Sequence, residues 1–431
     1  MDKLVLVTGS TGYIASRLIP RLLDSGYRVR CLARNPLRLK GRSWLRDIEV
    51  VQGDVTIPST LHGALKGVHT AYYLIHNMTR GHGYTALELD SARAFASAAE
   101  KAAIQHIIYL GGLADPEGHI APHMRSRIET GRVLREGKVH VTEFRAGVIA
   151  GSGSISFEMI RFMTELFPIV PGPTWLKNKS QPIAIRNVID YLIAALENKK
   201  GWGGIFEIGG PEITEYGHLM VRYACARSLK RRMFLLPGIP LWFMAFGVGL
   251  VTPVPYPIAY ALIDGLSADS VVKHSQALEV FPDVRLIGLD PATKDALEKT
   301  HPLHIERVWD DGKKETHSIK HEGCFIEYHE VILTATAEKV FQTIRQFADQ
   351  SSWHKEEDQQ QKILVCIKNQ FAGKKWIEWR VVSHAKKMTL TQTVFFSPRG
   401  MPGFLYWYLL YPFHLLNSRN LIDKIAKQSE T

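Results

Sequence analysis

The chain has 431 residues, of which 45% are hydrophobic and 22% are charged, so it has the composition of a globular protein and is too long for a single hydrophobic core. Its formal net charge is +11, but Lys and Arg are spread along the sequence instead of forming a basic arm, which argues against a nucleic-acid-binding protein. Its four cysteines are widely separated, so we exclude a cysteine metal cluster and a dithiol pair, and we predict no metal site and a reducing compartment.

Strand-like and helix-like stretches alternate over the first part of the chain. This order is typical of a parallel sheet wrapped by helices, and we predict an α/β, doubly wound fold. The predicted strands are Leu4–Thr8, Tyr27–Leu32, Glu49–Gln52, Thr70–Leu74, His106–Leu110 and His140–Arg145, and the predicted helices are Ala15–Ser25, Thr60–Leu65, Ala86–Ala103 and Arg125–Glu136. The chain reaches Thr8 and Gly9 before the apolar part of a signal peptide could be complete, so we expect no export signal and a cytoplasmic protein.

A glycine-rich turn joins the first strand to the first helix in the segment LVLVTGSTGYIAS, residues 4–16. Gly9 permits a tight turn, Gly12 lets the backbone approach a diphosphate, and Ala15 lets the helix pack close to the strand. Because the turn follows an apolar strand and opens a helix, it predicts a dinucleotide site and not merely a tight turn. The residues predicted to contact the cofactor here are Gly9, Ser10, Thr11, Gly12, Tyr13 and Ile14.

The ends of the second and third strands indicate which dinucleotide is bound. Arg34 stands where an NAD-binding protein would carry a carboxylate for the ribose hydroxyl, and a guanidinium there suits a 2′-phosphate. We therefore predict NADP in preference to NAD, the alternative being that Arg34 is a plain surface charge. Asp54 and Val55 follow the third strand, where Asp54 either binds the adenine amino group or caps the next helix.

The stretch between Arg232 and Asp264 carries no charged residue. Prolines divide it, and the helix left between Pro240 and Pro253 would be roughly 16 to 18 Å long, too short for a hydrocarbon core of roughly 30 Å. We predict a buried or groove-lining helix, with a peripheral contact to a membrane surface as the alternative.

A polar segment, THPLHIERVWDDGKKETHSIKHEG (residues 300–323), predicts a linker, and a second pattern of strands and helices follows it. We therefore divide the chain into a first domain (1–300, with a core at 1–155 and a substrate-side part at 156–300), a linker (301–323) and a smaller α+β domain (324–431).

Five motifs in order resemble an extended or atypical short-chain dehydrogenase/reductase of the NmrA-like and complex-I-accessory-like branch. They are TGSTGYIA, GDV, EFRAGVIAGSGS, QPIAIRNVIDYLIAAL and GIFEIGGPEITEYGHLM, and the resemblance covers roughly residues 1–300. It implies a Rossmann-type sheet and an NAD(P)-dependent oxidoreductase.

The family's catalytic Ser and Tyr-x-x-x-Lys pattern is not present in this chain. The resemblance places Gly111 and Gly112 at the serine, His123 at the tyrosine and Arg127 at the lysine. His123 then either replaces the phenol as a proton carrier or is a loop residue, and Arg127 either holds the ribose or an oxyanion or is a surface charge. His76, which follows the fourth strand, is predicted either to face the nicotinamide or to be a partly exposed loop residue.

Residues 324–431 resemble the small domain of unknown function that often trails such reductases and that is similar to the helix-grip, START-like fold. The stretches VFQTIRQFADQSSWH and SPRGMPGFLYWYLLYPFHLL carry this resemblance. The aromatic helix either lines an apolar ligand cavity or packs against the first domain.

Two functions follow from the sequence. The first is NADPH-dependent reduction of a hydrophobic carbonyl or quinone-like substrate, since hydride chemistry belongs to the cofactor. The second is a non-catalytic module that senses the NADP redox state or assembles partners, which the missing Ser, Tyr and Lys would permit. The sequence leaves the oligomeric state open.

Overall fold

The computed structural model describes residues 3–40, 42–76, 84–114, 120–252, 254–305, 318–321, 323–350, 353–359, 362–369, 372–384 and 387–430. The strands of the first part are β1 (Leu4–Val7), β2 (Arg28–Ala33), β3 (Glu49–Gln52), β4 (Thr70–Tyr73), β5 (His106–Gly112), β6 (His140–Ala146), β7 (Ile149–Ala150), β8 (Ile169–Pro173), β9 (Lys179–Ser180), β10 (Ile183–Ala184), β11 (Ile205–Ile208), β12 (Thr214–Glu215) and β13 (Arg232–Leu236). Its helices are α1 (Tyr13–Asp24), α2 (Leu61–Leu65), α3 (Tyr84–Lys101), α4 (Pro122–Arg135), α5 (Ile155–Leu166), α6 (Ile185–Glu197), α7 (Tyr216–Ala226), α8 (Leu241–Val251), α9 (Tyr256–Gly265), α10 (Gln276–Val280) and α11 (Leu289–Glu298).

The main sheet has seven parallel strands in the order β11-β6-β5-β4-β1-β2-β3. This confirms the predicted doubly wound α/β fold and its six strands, and it adds β11, which the sequence analysis had not assigned as a strand. The strand order reverses between β1 and β4, so the crevice of the fold opens at the carboxyl ends of these two strands.

Helices cover both faces of the sheet. Along β1, Val5 and Val7 pack into one hydrophobic core with α1 and α6, whereas Leu4 and Leu6 pack into the other with α2 and α3. Successive side chains of a strand point to opposite faces, so this division shows that β1 is buried on both sides. The turn after β1 is thereby held rigidly at the centre of the crevice.

His106 at the start of β5 is a fully buried histidine. Its Nε2 lies 2.8 Å from the Thr142 hydroxyl, its ring stacks on Trp202, and burial lowers its pKa to about 3. An unfolded histidine has a pKa of about 6.5, so at lower pH the unfolded chain binds a proton that the folded chain does not. Lowering the pH from about 7 to about 5 should therefore cost about 2 kcal/mol of unfolding free energy through this residue.

Urea denaturation of the wild type and of His106→Asn at both pH values checks this prediction. The variant lacks the protonation penalty, so the stability gap between the two proteins should shrink as the pH falls. An equal gap at both pH values would contradict it.

The second part of the chain is an antiparallel sheet with three helices. Its strands are β14 (Ser318–His321), β15 (Cys324–Leu333), β16 (His354–Gln359), β17 (Lys362–Asn369), β18 (Gly373–His384) and β19 (Lys387–Pro398), and its helices are α12 (Ala337–Gln350), α13 (Gly400–Leu409) and α14 (Tyr411–Glu430). The strand order is β14-β15-β19-β18-β17-β16. This confirms the predicted smaller α+β region.

Two strands of this sheet differ from the sequence-based expectation. Residues 318–321, which we had placed in the linker, form β14 and pair with β15. Residues 354–359, which we had assigned to no element, form β16 and pair with β17 across a register shift between Lys355 and Glu357. Both segments are polar, so neither shows the apolar alternation that marks a half-buried strand.

The two parts of the chain meet at α5. Phe162 of α5 packs in one cluster with Phe325 of β15 and Phe404 of α13. Beside it, the buried Glu165 carboxylate accepts hydrogen bonds from Arg227 Nε at 2.6 Å and from the Gly400 N–H at 2.7 Å. An apolar contact and a buried ionic contact therefore join the two parts.

The uncharged stretch forms strand β13 and the helical hairpin α8–α9. No helix in the described part of the chain combines the length and the apolarity that crossing a bilayer requires.

Candidate functional site

The turn between β1 and α1 leaves backbone exposed at the centre of the crevice. Gly9 has a positive φ of 64°, and a Cβ at this position would collide with the carbonyl oxygen of Leu74. Gly12 is the N-cap of α1 and makes no side-chain capping hydrogen bond, and no acidic residue occupies the first turn. The amino end of α1 thus offers backbone N–H groups and a positive dipole to an anion.

The side chains of residues 10–14 pack against neighbouring elements and leave the backbone of the turn uncovered. The Ser10 hydroxyl donates to the Leu32 carbonyl at 3.0 Å, so it does not obstruct the turn. Thr11 is half-buried, Tyr13 lies against Gly151, and Ile14 packs on the core that contains α1 and α6. The predicted contact residues 9–14 therefore share one turn, with backbone atoms as its principal polar groups.

The predicted adenosine-side residues lie at the ends of β2 and β3. Arg34 is exposed one residue beyond β2. The Asp54 carboxylate accepts a hydrogen bond from the Thr56 N–H at 3.0 Å, and Val55 is buried. The Asp54 carboxylate thus holds its own turn and does not cap the next helix, the 3-10 turn Pro58–Thr60, whose N-cap is Ile57.

A cavity lies next to this turn, between the carboxyl edge of the sheet and the helices α4, α5, α7, α8 and α9. Its empty volume is ≈ 1000 Å³, including the part open to solvent. The apolar lining residues include Met124, Val148, Met159, Ile160, Met163, Trp175, Leu176, Leu219, Met220, Met244, Val248, Leu262, Ile263 and Leu266. Methionine side chains are unbranched and polarizable, so these walls suit apolar molecules of varied shape.

The cavity has a polar end formed by His76, His123 and Arg127. His76 lies two residues beyond Leu74, whose carbonyl touches Gly9, so this end of the cavity adjoins the glycine turn. His123 and Arg127 are four residues apart on α4 and lie on one face of the helix. The structure thus brings together three residues that the sequence analysis had named separately.

A buried carboxylate orients His76. Glu88 of α3 is 3% exposed, and its two oxygens form short hydrogen bonds with His76 Nδ1 and with the Ser126 hydroxyl. Burial lowers the pKa of His76, whereas the hydrogen bond that its ring makes to the Glu88 carboxylate opposes this shift. His76 Nε2 is buried and has no hydrogen-bond partner among the described residues. With Glu88 ionised, Nδ1–H donates to the carboxylate and Nε2 is left to exchange a proton.

His123 differs from both sequence-based alternatives. It lies in the first turn of α4 and not in a loop, because α4 begins at Pro122. It is 3% exposed, and burial, reinforced by Arg127, lowers its pKa to about 3. The ring is therefore neutral near pH 7, which suits a hydrogen-bonding role in the cavity wall and argues against its acting as an imidazolium acid.

Arg127 is half-buried and not a plain surface charge. Its Nη2 donates to the Leu110 carbonyl at 3.2 Å, and its own carbonyl accepts a hydrogen bond from the Tyr109 hydroxyl at 2.9 Å. A Cβ on Gly112 would collide with Met124 Sδ and lie 3.3 Å from Arg127 Cδ. The side chains of α4 thus take the space in which a serine at position 112 would stand.

Sequence reasoning missed Glu88 and most of the apolar wall. Glu88 sits in the amphipathic pattern of α3, where an acidic residue ordinarily faces solvent, so only the fold shows that it is buried beside His76. The uncharged stretch at 232–264 was the one available signal for the wall, and its prediction as a groove-lining helix agrees with Met244 and Val248 in the cavity.

Comparison with known proteins identifies both parts of the chain. Residues 1–205 match the model of the NmrA-like family, and residues 346–420 match a family described as a protein of unknown function (DUF2867). The first match supports the predicted NmrA-like, NAD(P)-binding domain of the short-chain dehydrogenase/reductase type. The second match does not test the predicted START-like character.

Among curated relatives, the chain is 28% identical over 277 residues to the (4-alkanoyl-5-oxo-2,5-dihydrofuran-3-yl)methyl phosphate reductase of Streptomyces griseus, which covers 60% of this chain and 85% of that protein. It is 27% identical over 191 residues to the photosystem II assembly factor Ycf39 of Cyanophora paradoxa, covering 43% of this chain and 56% of that protein.

Among solved structures, the NADPH-dependent quinone oxidoreductase of Escherichia coli, in complex with NADPH, superposes with a TM-score of 0.56 and 18% identity. The likeness covers 68% of this chain and 99% of that one. At this identity the likeness concerns the fold alone, and it confirms the doubly wound α/β fold of the first part of the chain.

Proposed function

We propose that this chain, an NAD(P)-binding oxidoreductase of the NmrA-like kind, uses NADPH to reduce a carbonyl or quinone group on an apolar substrate. The observation that carries the proposal is the cavity itself. It is a methionine-rich apolar chamber, and its basic lining residues among those described, His76, His123 and Arg127, lie at the end where His76 adjoins the glycine turn.

The described residues fit NADPH. The turn at Gly9 and Gly12 has the shape and polarity that a diphosphate requires, and the exposed Arg34 suits a 2′-phosphate by charge and by bidentate hydrogen bonding. The structural relative from E. coli binds NADPH with the same fold. These points support NADP(H) over NAD(H).

When bound, NADPH would supply one hydride equivalent to the substrate, and one proton taken from solvent would complete the alcohol or hydroquinone. We assign the proton transfer to His76, whose Nε2 takes up the proton and delivers it to the substrate oxygen. The Glu88 carboxylate stabilises the imidazolium that this step requires. Arg127 stabilises negative charge on the substrate oxygen, and the neutral His123 helps to position it.

Replacing Arg34 by alanine should raise the Kd for NADPH about 10- to 100-fold, because the charge-assisted hydrogen bonds to the 2′-phosphate are lost. The Kd for NADH should change little, since NADH carries no such phosphate. Arg46→Ala, which removes an exposed cation from the same region of sequence, is the matched control. Calorimetric titration with both cofactors checks this, and a parallel loss of both affinities would contradict the assigned role.

Stopped-flow mixing with NADPH and a panel of quinones and apolar ketones tests the reaction. Cofactor absorbance should fall only when both protein and acceptor are present, and bulky apolar acceptors should be faster than small polar ones. Tight NADPH binding with no acceptor-dependent oxidation across the panel would exclude a reductase of this kind.

One observation favours a second candidate, a non-catalytic module that senses the NADP redox state. Positions 111, 112, 123 and 127 carry Gly, Gly, His and Arg in place of the family's Ser, Tyr and Lys. Such a module would bind NADPH and NADP⁺ with different affinities and oxidise no acceptor.

For the second part of the chain we propose a helix-grip, START-like arrangement in which α14 packs across the antiparallel sheet. Trp379 and Ile425 are fully buried in the core between them, which supports a filled interior. The contact between α13 and α5 supports the packing role for the aromatic helix, so we assign substrate binding to the first part of the chain.

A further inference from the structure

We propose that the α8–α9 hairpin, together with the corner between α13 and α14, seats this protein on the surface of an anionic lipid bilayer. The apolar substrate would then enter the cavity from the membrane. The docking surface is inferred from exposed residues and charge alone. Only the identity of the molecule that enters the cavity, an apolar substrate, rests on the proposed function.

The first observation is that α8 is apolar round its whole circumference yet lies at the surface. Its sequence, LWFMAFGVGLV, contains no polar side chain. Ala245 and Val248 are buried, but Trp242, Phe243 and Phe246 are more than half exposed and Leu250 is 70% exposed. A helix that is apolar on every side is normally enclosed by protein or by lipid, so the exposed side lacks the partner that its composition requires.

The second observation is that a similar surface lies on the other part of the chain. At the corner between α13 and α14, Leu405, Leu409, Phe413 and Leu416 are exposed, with Leu409 at 72%. Four large apolar side chains on two packed helices would be costly to leave in water. Here too the buried side of α13 is occupied, since Phe404 and Trp407 pack in the core.

The two apolar surfaces flank the same helix. α5 contributes Met159 and Met163 to the cluster that holds α8, and Phe162 to the cluster that holds α13. The first residue of α13, Gly400, also lies beside Arg231, the residue that precedes β13 and the hairpin. The surfaces therefore belong to adjoining parts of one folded unit.

The charges near the two apolar surfaces indicate what kind of partner covers them. The segment 216–263, which holds the hairpin up to Ile263, and the segment 379–422, which holds most of the corner, contain Lys and Arg but no Asp or Glu, and Asp264 near the end of α9 is the one acidic residue of the hairpin. The exposed cations of these two segments include Lys230, Arg232, Arg399 and Arg419. Aromatic and aliphatic residues with a cationic border suit the headgroup region of an anionic bilayer. A second copy of the same surface would instead oppose cation to cation.

The hairpin also connects this surface with the cavity. Met244 and Val248 of α8 and Leu262 and Ile263 of α9 line the cavity, while Phe243 and Phe246 face outward. One helix, roughly 10 Å thick, thus separates the cavity from the docking surface. A helix of 11 residues cannot span the bilayer, so the hairpin lies in its interface.

The test is flotation of the full-length protein with vesicles of phosphatidylcholine alone and of phosphatidylcholine mixed with phosphatidylglycerol. We expect binding to the anionic vesicles that weakens as salt is added. The triple variant F243S/F246S/L250S should bind at least about 100-fold more weakly, because three apolar side chains no longer enter the interface. The control I213S/L278S/L303S, which removes three exposed apolar side chains from other elements, should bind like the wild type.

Wild-type hydrogen exchange provides a readout that needs no variant, since peptides covering 240–265 should gain protection when anionic vesicles are added. Three outcomes would overturn the proposal. Either the wild type does not bind vesicles, or the triple variant binds them as well as the wild type does, or the wild type forms a dimer while the triple variant is monomeric. Vesicle binding and NADPH binding without reduction of any quinone would leave the docking surface established and would remove only the proposed reductase activity.

Discussion

Replacing Gly12 by glutamate should raise the Kd for NADPH more than about 100-fold, because the new carboxylate would stand where the diphosphate binds. Gly12 has an ordinary backbone φ of −82°, so a side chain there causes no torsional strain, although the turn must shift to make room for it. A Cβ would nevertheless lie 2.9 Å from the Gly9 carbonyl oxygen and point into the turn. Isothermal titration calorimetry with NADPH and NADH measures the loss, which should affect both cofactors because both carry the diphosphate.

Gly63→Glu is the matched control, since a Cβ on Gly63 meets no atom within 4 Å and the residue lies on α2, away from the turn. It should bind NADPH like the wild type. If Gly12→Glu folds, as judged by circular dichroism, and still binds NADPH normally, the dinucleotide site is not at this turn.

Replacing His76 by glutamine should lower kcat for carbonyl or quinone reduction about 100- to 10,000-fold while leaving NADPH affinity nearly unchanged. Glutamine keeps a hydrogen bond to Glu88 but cannot carry the proton. His62→Gln, at an exposed position on α2, controls for loss of a histidine in general. A variant that retains full kcat would show that the proton reaches the substrate from water or from another group.

The dependence of the reduction rate on pH distinguishes an effect of Glu88 on the pKa of His76 from a purely structural effect of Glu88. Burial lowers the pKa of His76, so the imidazolium form accumulates only below about pH 6.5, and reduction limited by proton transfer should accelerate as the pH falls. Glu88→Gln removes the interaction that raises this pKa. The rising limb of the profile should therefore move to lower pH in Glu88→Gln, whereas a purely structural effect would lower the rate equally at every pH.

The fold of the first part of the chain could be read largely from its sequence. The alternation of apolar strands with helical stretches predicted six strands, and the spacing of Gly9 and Gly12 predicted the turn between β1 and α1, where the positive φ of Gly9 favours glycine. β11 was not predicted as a strand. It has only four residues, and the glycines on both sides of it are typical of a loop.

The polar end of the cavity was less accessible to sequence reasoning. His76, His123 and Arg127 could be named from their positions after strands and in the family's motif, but the pairing of His76 with Glu88 depends on how α3 docks beside β4. His123 illustrates the same limit, since its depressed pKa follows from burial by α9 and the neighbouring Arg127, neither of which a local pattern reveals.

The hydrogen bonds at Glu165 couple the stability of the first part of the chain to that of the second part. Tyr223 and Arg227 of α7 share this carboxylate with the amide of Gly400, and Arg227 also reaches the Pro398 carbonyl at 3.0 Å. Cutting the chain before β14 would uncover Phe162 and strip two partners from this network. The first part of the chain therefore depends on the second part, which covers Phe162 and completes the hydrogen bonds around Glu165 and Arg227.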